Sequence, residues 1–341
     1  MQNFKRIAKT VGIFLLMVGL LSAFFIACYL KGENFHYQDG LERDEISGKV
    51  DFIACGASYT LFGVRPDVLN EELGVSCYDL AGTMMTLRAR CTLLEKELAR
   101  NPVRTVILEV SPDTLLRDRA EEGPKGDLPM LGRLTDASER WDYFRAAFTA
   151  DEWPELYYDM VSKGIESAIR LVTGQYETRN QIMTLGFYLN TKDDWPLPRN
   201  YAELYHTKRL PEAVNPENVA WLEKLIALCR EKGAAIYMIS TPQSKYYNCM
   251  YENLDYYQSW FRQFAEDNGI PYFNFNLAKK KLKKLPDKSC YYDDSHLNTK
   301  GGEIFTRMLA DTIRRSEQGE ELSGSFYESY AELDQHSGYW K

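Results

Sequence analysis

Residues 50–63 read V-D-F-I-A-C-G-A-S-Y-T-L-F-G, and the reading of this stretch decides the fold. Val50, Phe52, Ile53 and Ala54 suit a buried strand of a parallel sheet, which is apolar on both faces. Gly56 allows a sharp turn at the strand's carboxyl end, where open α/β sheets place their ligand sites. Ser58, two residues on, is then presented at a sheet rim near backbone N–H groups. On these residues alone, a strand followed by a plain polar turn is an equal reading.

A second stretch, far away in sequence, gives the serine a partner. Residues 292–302 read Y-D-D-S-H-L-N-T-K-G-G, ahead of an amphipathic helical pattern over residues 304–313. A carboxylate three residues before a histidine can turn back and accept the imidazole N–H. That fixes the tautomer and stabilises the imidazolium that forms during acyl transfer. The other ring nitrogen then serves as general base to a nucleophile such as a strand-end serine. Of the four histidines only His296 has this setting. Ser58, His296 and Asp293 are therefore the candidate catalytic residues.

The alternation between these ends is that of a parallel sheet. Apolar runs at residues 75–80 and 105–110 flank a helical pattern over residues 84–99, with Leu87, Cys91, Leu94 and Leu98 on one face. Asn101-Pro102 ends that helix. Strand, helix, strand at this spacing predicts βαβ units. Residues 113–215 break the rhythm and are longer than a crossover needs, which predicts an inserted, mostly helical cap; an extension of the core is the other reading. Loops are expected at residues 121–126 and 193–198. A helix over residues 216–232 capped by Gly233, a strand over 234–239, a helix over 254–267 and a short strand over 272–275 follow. The lysine cluster at 279–284 is expected to be a solvated helix face, or else a surface for an anionic polymer. The tail, residues 317–341, is either flexible or docked on a partner.

Residues 11–30 carry no charge and match the roughly 30 Å hydrocarbon core at ~1.5 Å rise per residue. Lys5, Arg6 and Lys9 precede the run, so residues 1–10 are expected in the cytoplasm, with a stalk over 31–49 and the main domain over 50–316 outside. A cleavable signal peptide, with small residues at Ser22-Ala23, and a lipoprotein site at Ala27-Cys28 are the competing readings. The formal net charge of −8 argues against a nucleic-acid binder. Seven cysteines with no C-x-x-C pair predict neither a zinc site nor a disulfide framework, and no cofactor is called for.

The paired blocks resemble the SGNH/GDSL hydrolase superfamily. Its first block, G-D-S, resembles Gly56-Ala57-Ser58, and its last, D-x-x-H-(L/P)-x-x-x-G, matches Asp293, His296, Leu297 and Gly301. The resemblance implies a flavodoxin-like three-layer α/β/α fold, Ser58 as nucleophile, His296 as base and Asp293 as orienter. It further implies an oxyanion site built from the N–H groups of Ser58 and Gly82. The chain departs from the family after the third strand, where an oxyanion asparagine is replaced by Glu109-Val110-Ser111-Pro112. Thr83, Ser111 or Gln243 is the expected substitute. Membrane anchor, E-x-S-P and D-x-x-H-L-N together resemble a divergent bacterial branch, similar to teichoic-acid D-alanylation and alginate O-acetylation proteins.

That branch implies a single-pass, extracytoplasmic serine esterase or O-acyltransferase. Its substrates would be cell-surface glycans or teichoic-type polymers, and its partner a membrane-bound O-acyltransferase. A non-catalytic accessory protein of the same system is the alternative. Were the resemblance accidental, and the chain a binding domain, Ser58 and His296 would lie far apart.

Overall fold

The computed structural model describes residues 2–32, 34–117, 126–174, 183–190 and 203–337. The expected loops at 121–125 and 193–198 and the last four residues lie outside these. The strands, in chain order, are β1 (Phe52–Cys55), β2 (Cys77–Asp79), β3 (Thr105–Glu109), β4 (Met183–Thr184), β5 (Phe187–Tyr188), β6 (Ala235–Ser240) and β7 (Tyr272–Asn274). Five of them form one parallel sheet in the order β2-β1-β3-β6-β7, and β4 and β5 form a separate antiparallel ribbon.

The strands are mostly apolar because both faces of the sheet are covered, with the polar residues Asp79, Glu109, Ser240 and Asn274 at their carboxyl ends. Alternate residues serve opposite sides. Ile53, Cys55, Val106, Leu108 and Met238 join one core with the helices Leu87–Arg100, Pro216–Glu231 and Leu254–Asp267. Phe52, Ala54, Ile107, Tyr237 and Ile239 join another with the helices Pro66–Leu73 and Thr299–Glu317. The register sets Ile53 beside Val106 and Val106 beside Ile236, so all strand carboxyl ends reach the same rim.

Helix boundaries follow capping chemistry. The helix expected from residue 84 begins at Leu87, because Met84 sits at φ 56° and Thr86 caps the first turn by accepting from Ala89 N. Gly233, at φ 73°, ends the helix Pro216–Glu231 in the left-handed conformation that glycine adopts without strain.

Four expectations are corrected. Among the described residues of 113–215, the buried side chains Leu128, Met130, Tyr143, Phe148 and Leu156 belong to the first core, so this segment extends the core and has none of its own. The stretch expected as a stalk contains a helix, Asn34–Glu45, tied down by buried charge. Asp39 pairs with Arg133 at 2.9 Å and accepts from Tyr78 Oη at 2.6 Å, while Arg43 pairs with Glu97 at 2.5 Å. The tail folds back on its own domain, with Leu333 buried against Leu277 and the N–H groups of Tyr330 and Ala331 donating to Asp255. In the lysine cluster Lys279, Lys280 and Lys284 are exposed as expected, and only Lys281 departs: it turns inward, is buried and donates to Asn276 Oδ1 at 3.4 Å.

Among the described residues one helix, Gln2–Gly32, is long and apolar enough to cross a membrane, with mean hydropathy 2.6 over its apolar window. All seven cysteines are unpaired.

Candidate active site

β1 ends at Cys55 and the chain passes through Gly56 and Ala57 directly into a short helix, Ser58–Gly63. Gly56 is required for its size, not for a left-handed φ. A Cβ there would lie 1.8 Å from Thr60 Oγ1 and 2.9 Å from Glu109 Cβ. The nucleophile turn therefore packs directly on the next helical turn and on the end of β3. The Glu109 carboxylate, fully buried, accepts the Ala57 N–H at 3.1 Å and lies 3.5 Å from Arg90. Burial pushes the Glu109 carboxyl up, and the Arg90 guanidinium and the Ala57 N–H pull against that rise. Ser58, half-buried, opens the helix with its backbone N–H among the first-turn donors that lack an intrahelical partner.

The base arrives from the other end of the chain. Asp293 Oδ1 accepts the N–H groups of Ser295 at 2.9 Å and His296 at 2.8 Å, closing an Asx-type turn. Tyr292 N–H donates to the His296 carbonyl at 2.8 Å and pins the loop at its base. Asn298 then caps the helix Thr299–Glu317 by accepting from Gly301 N at 2.9 Å. A Cβ on Gly301 would meet the Cys290 carbonyl at 2.0 Å, and Gly302 lies against the carbonyls of Phe62 and Gly63. Gly302 lets this helix start close against the nucleophile helix, and Gly301 lets it start close against the chain at Cys290. That closeness brings two segments 238 residues apart into contact.

The result is a continuous chain of hydrogen bonds. His296 Nδ1 lies 2.9 Å from Asp293 Oδ2 and 3.0 Å from Oδ1, and His296 Nε2 lies 2.8 Å from Ser58 Oγ. With the Nδ1 proton donated to Asp293, Nε2 is the acceptor for the Ser58 hydroxyl. Burial raises the Asp293 carboxyl, but the imidazole and the two backbone N–H groups outweigh it and hold its pKa below the ordinary carboxylate value. A separation of Ser58 from His296, the mark of an accidental resemblance, is contradicted by this contact.

Aromatic rings fix the imidazole. Tyr59 and Phe62 stand 5.2 Å and 5.1 Å from it, centroid to centroid. Tyr59 Oη in turn donates to Asp113 Oδ2 at 3.0 Å. A cleft of about 610 Å³, open solvent included, lies beside Ser58, and its walls include Ser111, Asp113, Arg88, Arg90 and Trp221.

Of the three substitutes for the oxyanion asparagine, Ser111 lines this cleft. Its hydroxyl and N–H both lie against Thr114 Oγ1, at 3.1 and 3.2 Å, as the cap of the helix Pro112–Leu116. Thr83 faces a different cavity, with Phe62, Met130 and Tyr188. Gln243 is buried and held through its backbone by Asn276 and Tyr291. Gly82 is buried beneath the Met130 thioether, and it is Met85, Thr86 and Leu87 of its loop that wall the cleft. The structure thus joins Ser58, His296 and Asp293, with Ser111 in the wall of the cleft; Gln243 lines a neighbouring cavity together with Ser111.

Tyr59, Phe62 and Arg90 are site residues that motif reading passed over, and Glu109 entered it only as part of E-x-S-P, with no role in the site. Glu109 had a signal: it is a lone charge ending the otherwise apolar run T-V-I-L-E-V. The aromatics had a weaker one, standing one and four residues after Ser58. Among the described residues no cluster of three or more His, Cys, Asp or Glu is placed to hold a metal ion. No protein-family model matches the chain, and no curated protein matches it.

Proposed function

We propose that the protein is a serine esterase or O-acyltransferase of the SGNH type, built on a flavodoxin-like sheet and acting on O-acyl groups of an extracytoplasmic glycan or teichoic-type polymer. The observation that carries the reading is the unbroken Ser58–His296–Asp293 chain at a strand carboxyl end. The main-sheet strands, taken in chain order, lie 2-1-3-4-5, the order of flavodoxin-like doubly wound folds, which supports the fold assignment.

In the first half-reaction Ser58 Oγ attacks the ester carbonyl while its proton passes to His296 Nε2. Asp293 holds the resulting imidazolium in place. The tetrahedral oxyanion draws on the N–H of Ser58 at its helix N-terminus; one such donor is worth about 100- to 1,000-fold in turnover. Collapse expels the alcohol, which takes the proton back from His296, and leaves acyl-Ser58. Water or a sugar hydroxyl then delivers its proton to Nε2 and accepts the acyl group, regenerating the serine.

The test is acetate release from an acetyl ester by the full chain and by Ser58→Ala. Loss of about 10⁵- to 10⁶-fold is expected, with unchanged folding. Unchanged turnover in Ser58→Ala would sink the assignment. A second reading, a non-catalytic accessory protein that works beside a membrane-bound O-acyltransferase, is favoured by one observation: the position after β3 holds Ser111, which is already engaged with Thr114. A fluorophosphonate separates the two, since an activated Ser58 is labelled and an inert one is not.

A further inference from the structure

Arg88 stands apart from the other charged groups of the cleft beside Ser58. Among the described residues, the walls of that cleft carry three arginines and two carboxylates. Arg90 is buried and lies 3.5 Å from Glu109, and Arg117 donates to the Met84 carbonyl. Asp113 accepts from Tyr59 Oη at 3.0 Å, and Glu217 accepts from Trp221 Nε1 at 3.3 Å. The Arg88 guanidinium has no hydrogen-bonded or ion-paired partner among the described residues, and its Nε is shielded from solvent. It lies instead over the Trp221 ring, 5.6 Å from the centroid, with Lys224 Nζ 4.7 Å from the same ring.

A guanidinium offers five N–H donors and no acceptor, and it keeps its charge at every ordinary pH. Leaving one of those donors shielded from water and unmet costs free energy, which a bound acceptor recovers. The ring contact fixes the cation without consuming its N–H donors. The backbone adds the same sign. Arg88 is in the first turn of the helix Leu87–Arg100, Asn215 caps the helix Pro216–Glu231, and both residues line the cleft. The N-terminal ends of two long helices therefore meet at this wall, each with about half a positive charge.

We propose that Arg88 binds an anionic group of the substrate, a phosphate or a carboxylate, in the cleft beside Ser58; this rests on the esterase or acyltransferase reading of that serine. The anion supplies both things that Arg88 lacks, an acceptor for Nε and a counter-charge. A neutral sugar hydroxyl supplies only the first, and charge-assisted hydrogen bonds are about twice as strong as neutral ones. In an acetyl ester the acyl part is uncharged, so the anion sits on the alcohol part.

The experiment gives the full chain, in detergent, three acetyl esters on one glycerol skeleton: neutral acetylglycerol, 1-acetylglycerol 3-phosphate and 3-O-acetylglycerate. At least one charged ester should exceed the neutral one in kcat/KM by about ten-fold or more, and Arg88→Gln should lower that ratio about ten-fold. The ratio cancels any general loss of activity in the variant, and the comparison within the unmodified chain needs no variant at all. Preference for the phosphate makes a phosphoester the source of the anion; preference for the glycerate makes it a carboxylate. A ratio near one in the unmodified chain, or a ratio that survives Arg88→Gln, overturns the proposal. Calorimetric binding of glycerol 3-phosphate and glycerate to Ser58→Ala and to Ser58→Ala/Arg88→Gln separates this proposal from the reading it rests on. A chain that binds either anion only with Arg88 present, yet hydrolyses no ester, keeps the anion site and loses the esterase. A chain that hydrolyses all three esters equally keeps the esterase and loses the anion site.

Discussion

Two polar regions of this protein are built in opposite ways. At the sheet rim, Ser58, His296 and Asp293 are half-buried, and each is held by its own short segment: a glycine turn, an Asx turn, a helix cap. Beside the apolar N-terminal helix, Asp39, Arg133, Arg43 and Glu97 are almost fully buried and are held by pairing across segments up to 94 residues apart, with Tyr78 and Glu139 among their further partners. The first arrangement leaves a reactive group open to substrate on a frame that packing has already fixed. The second leaves nothing open and secures the helix Asn34–Glu45 to the rest of the domain. Function is written in local geometry at one region, and attachment in long-range pairing at the other.

The comparison predicts that rim substitutions cut rate while leaving stability, and that substitutions in the buried charge cluster do the reverse. Asp293→Asn keeps the shape but favours the wrong imidazole tautomer, and turnover of an acetyl ester should fall about 10⁴-fold with little change in unfolding temperature. Arg133→Met leaves the Asp39 carboxylate buried without its charge partner. It should cost about 3–5 kcal/mol in a denaturant titration, with kcat of the remaining folded enzyme close to normal. A loss of kcat there would break the contrast.

Gly56→Ala tests where the two kinds of construction meet. The added methyl must displace Thr60 or Glu109, at a cost of about 1–3 kcal/mol, and the turn carrying Ser58 moves with it. Stability and fluorophosphonate labelling of Ser58 should therefore fall together, unlike in either of the other variants.

The smallest effect concerns Lys281. Burial lowers its ammonium from 10.5 to about 7, with the Asp287 carboxylate opposing the drop. Between those two values the unfolded chain holds a proton that the folded chain has released. Stability therefore rises with pH across this window and is constant below it as far as this group is concerned. Lys281→Met should flatten that rise and increase the unfolding temperature at neutral pH, as read from thermal unfolding between pH 7 and pH 10. An unchanged slope would show that another group sets it.

Much of the site was legible in the sequence because its parts are local. Gly56-Ala57-Ser58 after an apolar run, and Asp293 three residues before His296, are constraints of a few residues each. The sheet was legible for the same reason, from apolar runs and the helix between them, with errors of two or three residues where Met84 and Thr86 redefine a helix start. The helix that replaces the expected stalk was not legible. Its residues, N-F-H-Y-Q-D-G-L-E-R-D-E, are polar, and only the distant Arg133 and Glu97 make burying them favourable. The packing of Met130 over Gly82 was not legible either, because Met130 comes from a segment with no motif.

The sequence by itself determined a parallel α/β sheet, an apolar N-terminal helix and the Ser58, His296 and Asp293 set, since periodicity, turn chemistry and spacing act over a few residues. Only the tertiary structure decided the remainder. It closed the 2.8 Å contact between Ser58 and His296, made residues 126–174 part of the core, and laid Tyr157 against Ser22. Each of those depends on side chains that meet only after the chain has packed, and no spacing along the chain encodes such a meeting.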